Sequence, residues 1–244
     1  MLCSIISVTY QCEKTIARTI ESVLHQTYGD IEYILIDGAS TDKTVQIAES
    51  YRERFERTPG RTIKILSEPD RVMFDALNKG ARMATGALVG QINGDDWYEP
   101  EAVETMVRLF QRQPYDVAWG SIRIRKPSGA MIKHAKIGKL WTTSHWCHPA
   151  MFSRREILLQ FPYALESMYD DFDYITAVWR AGKTVLTIDR VISNFSFGGM
   201  STQKSLSEVK RRIDIVYKIY RKHGMSRLYW FHRLGLELAK YVLG

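Results

Sequence analysis

The feature that most constrains this chain is a regular alternation in its first hundred residues, where short β-rich apolar runs are separated by segments with helical periodicity. Residues 4–9 predict a buried strand, and Ile16, Ile20, Val23 and Leu24 then share one face of a helix that closes near Tyr28 and Gly29. Residues 32–36 predict the second strand. Ser40 or Thr41 is placed to cap a helix through Val45, Ala48 and Tyr51, and residues 62–66, 74–84 and 88–92 predict a strand, a helix and a strand. Pro100 opens the next helix at a position where its missing amide donor costs nothing. Strands that alternate with helices in this way pack as an α/β fold, a Rossmann-like, mostly parallel central sheet with right-handed crossovers and helices on both faces.

The second half is less regular. Residues 117–125 and 131–136 predict strands joined at Pro127, Ser128 and Gly129, residues 150–153 a short strand, and residues 171–181 a helix closed by Gly182. Residues 184–188 and 191–195 predict two more strands, followed by a mobile loop at Gly198 and Gly199. A chain of 244 residues, 45% apolar and 25% charged, suits one domain. We expect that domain over residues 1–203, in halves of about 1–100 and 101–203, with a helical tail over 204–244.

In a doubly wound sheet, ligands collect at the carboxyl ends of the strands. Polar clusters fall at four such ends: Thr9 with Tyr10, residues 37–42 (DGASTD), residues 68–71 and residues 93–96. The last cluster sets Asp95 beside Asp96, after a glycine and directly beyond a buried strand. Two carboxylates held that close repel each other without a cation, and all-oxygen sites of this kind suit Mg²⁺ or Mn²⁺ bridged to substrate phosphates. Capping the helix at Pro100 would need only one acid.

The segments SIISVTYQCEKTIARTIESVLHQTYGDIEYILIDGASTD, SEPDRVMFDALNKGARMATG and INGDDWYEP, followed by DVAWG, WCHPAMFSRREIL, YDDFDY and FGGMS, resemble the family 2 glycosyltransferases of GT-A type, especially bacterial enzymes of polysaccharide and glycolipid assembly. The resemblance covers residues 4–200 and implies that Thr9, Tyr10 and Asp37 line the nucleoside pocket, with Asp70 and Arg71 flanking it. It implies that Asp95 and Asp96 hold the metal on the donor diphosphate. It makes Asp171 the general base of an inverting transfer, with Asp170 and Asp173 as close rivals, and sets His148 against the donor phosphates or the acceptor. Gly38 and Ala39 stand where the family carries a second acid and its neighbour, and Val72 where a glycine is frequent. No Gln-x-x-Arg-Trp segment follows the acceptor helix, which favours addition of one sugar over processive synthesis.

The implied activity is metal-dependent transfer of a sugar, from a UDP-sugar before other nucleotide sugars, to a saccharide or lipid-linked acceptor of cell-surface polysaccharide, lipopolysaccharide or glycolipid synthesis. Two alternatives stand beside it. A sugar-1-phosphate nucleotidyltransferase would want a glycine-rich basic loop that residues 3–12 do not offer. An inactive nucleotide-sugar-binding protein would tolerate loss of Asp37, Asp95, Asp96 and Asp171, which are all present.

The net charge of +7 is uneven: from Lys204 onward ten Lys and Arg face three acids, and the rest of the chain is balanced. A neutral body with a basic tail argues against nucleic acid and for a role of the tail. Ser205 and Glu208 form a capping box that opens a helix to Gly224 carrying Lys210, Arg211, Arg212, Lys218, Arg221 and Lys222. In a second helix from Ser226, Arg233, Glu237 and Lys240 share one side, and Leu228, Trp230, Phe231, Leu234, Leu238 and Tyr241 spread over the other. We expect this helix to lie in an anionic membrane surface, or else to pack its apolar face on the body or on a second subunit. Cys3, Cys12 and Cys147 are sparse, and MLCSIISVTY lacks a signal peptide's basic flank and cleavage site. Both predict a reducing, cytoplasmic setting, peripheral on the inner face of the cell membrane.

Overall fold

The computed structural model describes residues 1–138, 141–196 and 206–243, with side chains to 239. Strands β1 (Cys3–Thr9), β2 (Ile31–Asp37), β3 (Arg61–Ser67) and β4 (Leu88–Asn93) lie in the order β3-β2-β1-β4, all parallel. Every residue of β1 and β2 is buried, as expected where helices cover both faces. The covering helices of this half are α1 (Ile16–Leu24), α2 (Thr44–Glu49), α3 (Arg52–Arg57) and α4 (Met73–Met83). Helix α4 lies close against β1 at Gly80, where a Cβ would stand 2.5 Å from Ile6 Cγ2. The registers Thr9↔Asp37 and Asp37↔Ser67 end three strands at one level.

Three local expectations are corrected. Helix α1 stops at Leu24, short of Tyr28, because the Gln26 amide turns back onto the Ser22 and Glu99 carbonyls. The single helix expected through Tyr51 is two short ones, and neither Ser40 nor Thr41 caps it. Asp42 Oδ1 instead accepts from the Thr44 N–H at 2.9 Å and the Thr44 hydroxyl at 2.6 Å. Pro100 precedes helix α5 (Ala102–Arg112) by two residues, and its carbonyl accepts the Thr27 N–H.

Beyond β4 the sheet continues with β8 (Met151–Arg154), β6 (Val117–Lys126), β9 (Val185–Ser196) and β5 (Trp97–Tyr98), and β7 (Gly129–Lys133) pairs with β6. The β4–β8, β8–β6 and β9–β5 pairs are antiparallel and β6–β9 is parallel. Strand β5 follows β4 after three residues, yet it sits at the opposite end of this order, so the sheet must curl round on itself. The curl closes over residues 94–96. Lys126 pairs with Gly129, so the hairpin turn is Pro127 and Ser128, and β7 ends at Lys133 rather than 136. The two strands expected at 184–188 and 191–195 are one bulged strand. Its register with β6 shifts beside Gly120, where a Cβ would stand 2.1 Å from Ile192 Cγ1.

Helix α6 (Arg155–Gln160) was not visible as a period in the sequence, whereas α7 (Asp170–Arg180) closes at Gly182 with φ +72° as expected. Helices α8 (Leu206–Lys222) and α9 (Tyr229–Leu243) form a hairpin on the body. Tyr220 meets Phe172 edge-on at 5.7 Å and donates its hydroxyl to the Trp141 carbonyl at 3.0 Å.

The hairpin corrects a further expectation. Arg233 and Glu237, expected on the water-facing side, are both 0% exposed, while Leu228 is 71% and Phe231 65% exposed. The charges turn inward because they meet partners there. Glu237 takes Arg233 at 2.8 Å and Arg212 at 2.7 Å, and Arg233 reaches the Thr143 hydroxyl at 2.7 Å and the Tyr169 hydroxyl at 3.2 Å. Ser205, Gly198 and Gly199 lie outside the described residues, as do the side chains of Lys240 and Tyr241. Among the described residues no helix is long and apolar enough to cross a membrane.

Candidate active site

At the first three strand ends, Asp37 is buried and its carboxylate is fully engaged. Oδ1 accepts the hydroxyls of Thr9 at 3.1 Å and Ser40 at 2.5 Å, and Oδ2 accepts the Ser40 N–H at 2.8 Å and the Ser67 hydroxyl at 2.7 Å. The group therefore ties β1, β2 and β3 to the loop at Gly38, Ala39 and Ser40, where Ala39 sits at φ +61°. With four donors on two oxygens, Asp37 holds the shape of the loop and has little left for a ligand.

Asp70 fills the space next to Gly38. A Cβ on that glycine would stand 3.3 Å from Asp70 Oδ2 and 3.5 Å from the Tyr10 ring, so the missing side chain leaves room for a carboxylate arriving from the end of β3. Lys79 pairs with Asp70 at 2.7 Å and with Glu68 at 2.8 Å. Tyr10 is 65% exposed beside them, and exposed Arg71 lies 3.7 Å from Asp75.

The curled edge builds the second cluster. Asp96 is buried, its Oδ1 accepts the Ser196 N–H from the end of β9 at 2.8 Å, and its Oδ2 has no hydrogen-bond partner among the described residues. Asp95 is held by its backbone. Its carbonyl accepts Arg18 Nη2 at 2.9 Å and the Ser196 hydroxyl at 2.6 Å, and the Arg18 guanidinium lies 3.6 Å over Trp97. Gly94 lets the turn pass β1, since a Cβ there would meet Thr9 Cγ2 at 2.7 Å.

Burial, and then the charge of Asp95, push the Asp96 carboxyl well above the usual carboxylate range. Burial likewise raises Asp95. An orphaned buried oxygen on a carboxylate that resists ionisation is what a divalent cation would relieve, so the residues present fit Mg²⁺ or Mn²⁺. No group of three His, Cys, Asp or Glu poised for a metal exists among the described residues. The remaining ligands would have to be substrate phosphates and water, as Mg²⁺ often takes them.

At the start of α7 three acids divide their work. Asp170 is buried and accepts the N–H groups of Glu166 and Ser167, each at 2.9 Å, so it holds the loop that leads into the helix. Asp173 clamps α8 through Lys222 at 2.7 Å and His223 at 2.6 Å. Asp171 has neither task. Its Oδ2 accepts the indole N–H of Trp146 at 2.7 Å and lies 3.8 Å from His148 Nδ1. Both ring nitrogens of His148 are without hydrogen bonds among the described residues, and burial pushes the imidazole below its ordinary range, with the Asp171 charge opposing. Trp146, Arg18 and Ser196 were not singled out from the sequence. Trp146 stands two residues before His148, but nothing in the spacing says that its N–H turns toward α7.

Residues 4–176 match the family described as Glycosyl transferase family 2. The chain belongs to this family. This glycosyltransferase is 27% identical over 242 residues to the PGL/p-HBAD biosynthesis glycosyltransferase of Mycobacterium tuberculosis, covering 97% of this chain and 87% of the relative. It is 35% identical over 109 residues to the putative glycosyltransferase EpsE of Bacillus subtilis, over 45% of this chain and 38% of that one. Among solved structures, TarS 1-349 of S. aureus in complex with UDP-GlcNAc superposes with a TM-score of 0.72 at 18% identity, over 100% of this chain and 73% of that one. The mannosyltransferase PcManGT of Pyrobaculum calidifontis, in complex with GDP-Man and Mn²⁺, superposes with a TM-score of 0.70 at 14% identity, over 99% and 75%. These two likenesses show that the glycosyltransferase has the GT-A fold. Family membership also sets aside the nucleotidyltransferase reading.

Proposed function

We propose that the protein transfers one sugar from a nucleoside diphosphate donor, a UDP-sugar before others, to a saccharide or lipid-linked saccharide, with inversion at the anomeric carbon. The observation that carries the reading is the buried Asp96 Oδ2, without a partner among the described residues, beside Asp95 on an edge enclosed by the curl of the sheet. The complexes of TarS with UDP-GlcNAc and of PcManGT with GDP-Man support a nucleotide-sugar donor, and the second supports a metal. Asp95 and Asp96 would hold Mg²⁺ or Mn²⁺, which supplies positive charge against the diphosphate as it leaves.

The chain's own residues perform the rest. Tyr10 and Asp70, next to the gap at Gly38, are placed to bind the nucleoside, with Arg71 at the rim and Thr9 and Asp37 keeping the strand ends in position. Arg18 and Ser196 hold the Asp95 backbone, and Ser196 orients Asp96. Asp171 accepts the proton of the acceptor hydroxyl as that oxygen attacks the anomeric carbon and the bond to the diphosphate breaks. Trp146 fixes one oxygen of that carboxylate. His148, kept neutral by burial, offers a donor or acceptor to the phosphates or the acceptor sugar. Work on the inner face of a membrane belongs to the same reading.

A panel of UDP-, GDP- and dTDP-sugars, each assayed for Mn²⁺-dependent release of the nucleoside diphosphate, tests it. One donor should stand out. Release from none of them would remove the proposal.

A further inference from the structure

The outward face of the α8–α9 hairpin carries two stripes in register. Arg212 pairs with Glu237 at 2.7 Å, and eight residues on along α8, Tyr220 meets Tyr229, eight residues back along α9, with ring centroids 4.5 Å apart. The helices therefore run antiparallel. Carried outward, this register sets Leu228 level with Arg221, Phe231 with Lys218, Gly235 with Asp214 and Leu238 with Arg211. On α8 the four positions follow the 3, 4, 3 spacing that keeps side chains on one line, and on α9 Phe231, Gly235 and Leu238 do the same, with Leu228 in the turn just before the helix.

Both lines lie opposite the buried faces, which on α8 are Val209, Ile213, Val216, Ile219 and Tyr220 and on α9 are Arg233 and Glu237. Leu228, Phe231 and Leu238 are 71%, 65% and 46% exposed, and Arg211, Lys218 and Arg221 are exposed at the same levels on α8. Arg211 also lies 3.3 Å from Glu208, and Arg221 donates to the Met225 carbonyl at 2.8 Å, so both cations are held in place at the surface.

We propose that these paired stripes are a docking surface for the anionic face of a lipid bilayer. An apolar line flanked by cations is complementary to acyl chains beneath anionic headgroups, and the tail holds the whole positive surplus of the chain. The charged inner side of α9 is pinned to the body, so the helix presents its apolar side without reorienting, which lowers the ordering cost of binding. A second copy is a poorer occupant. Apolar stripe on apolar stripe would bring the cations of both copies to one seam, with Asp214 and the Arg211 partner Glu208 as counter-charges on each. The hairpin packs directly on α7, which carries Asp171, so docking would hold the acceptor side of the enzyme at the membrane surface.

This deepens the membrane reading above by naming the surface, and flotation reads binding without turnover, so the two proposals fail separately. The full chain is floated with phosphatidylcholine vesicles with and without phosphatidylglycerol, at low and at high salt. It should float with the phosphatidylglycerol vesicles at low salt and be released by high salt. Leu228→Ser with Phe231→Ser, and separately Lys218→Glu, should each weaken partition on the order of ten-fold, while transfer to a soluble acceptor and the Tm stay near wild type. The Lys218→Glu variant, at an exposed site, keeps the test open if the apolar double variant fails to fold. Absence of flotation, equal flotation on phosphatidylcholine alone, or a solution dimer that Phe231→Ser dissociates would overturn the proposal.

Discussion

The indole N–H of Trp146 donates to Oδ2 of Asp171 over 2.7 Å, which ties the proposed base to a row of tryptophan rings. Trp119 meets Trp146 edge-on at 5.0 Å and Trp141 at 6.4 Å, and Trp141 stacks on Trp179 at 4.6 Å. Trp146→Phe keeps a ring in that row and removes only the donor. Loss of a hydrogen bond to a charged group costs about 1.5–3 kcal/mol, and here it frees the carboxylate from the partner that orients it. The kcat should therefore fall, with KM for the donor unchanged. A lower Tm with an unchanged kcat would mean that the tryptophan is only packing.

Asp171→Asn should bind donor as the wild type does and lose turnover by at least about 10²-fold, the usual scale for removed acid–base catalysis. Isothermal titration with the donor and a single-turnover rate separate the two effects. Undiminished turnover would move the role away from α7 altogether, because Asp170 and Asp173 are committed to the loop before α7 and to the α8 clamp.

Asp96 carries a stability prediction with a definite sign. Its carboxyl is raised in the folded protein, so the folded state binds the proton more tightly than the unfolded chain does. Its contribution is present below the unfolded value and is lost as pH rises through the folded one. At neutral pH and without metal the ionised group is a cost. Asp96→Asn should raise the Tm of the metal-free protein, by about 2–4 °C for each kcal/mol relieved. Scanning calorimetry in EDTA reads it, and a Tm below wild type would contradict the assignment of Oδ2 as an uncompensated oxygen.

His148 runs the other way. Burial lowers its imidazole, so on acidification the unfolded chain takes up this proton first, and stability falls as pH drops below about 6.5, the unperturbed value. His148→Gln should flatten that part of the Tm-against-pH curve between pH 7 and the folded value, and an unchanged slope would assign it to other groups.

The strand ends were legible because runs of Ile, Val and Leu bounded by polar residues are what a sheet covered on both faces requires. Asp95 and Asp96 were legible as a pair for the same reason, being adjacent at such an end. The engagement of Asp37 was not, because its donors Thr9 and Ser67 come from two other strand ends and meet it only through register, while Ser40 folds back from the loop that follows. The orientation of α9 was misread because hydrophobic period was taken to decide which face turns inward. Arg212 on α8 and Thr143 and Tyr169 on the body supply partners that the period of one helix does not record.

Glu237→Ala measures that inward face. It would leave Arg233, and with it Arg212, buried near each other without their carboxylate, a loss on the order of 3–5 kcal/mol for breaking a buried pair. Urea unfolding should show it, and a loss below about 1 kcal/mol, the scale of surface pairs, would mean that the pair is not acting as buried. A chain cut at residue 203 would lose the same contacts together with Tyr220 on Phe172, so such a truncation reports stability as well as membrane binding.

The central claim is that Asp96, beside Asp95, holds a divalent cation on the donor diphosphate. The measurement that meets it most directly is the rate of transfer with the preferred nucleotide sugar in excess EDTA and after readdition of Mn²⁺, for the wild type and for Asp96→Ala. The wild type should lose transfer in EDTA and regain it with Mn²⁺, and the folded variant should be inactive in both. Full transfer by the wild type in EDTA, or Mn²⁺-restored transfer by the variant, would contradict the account.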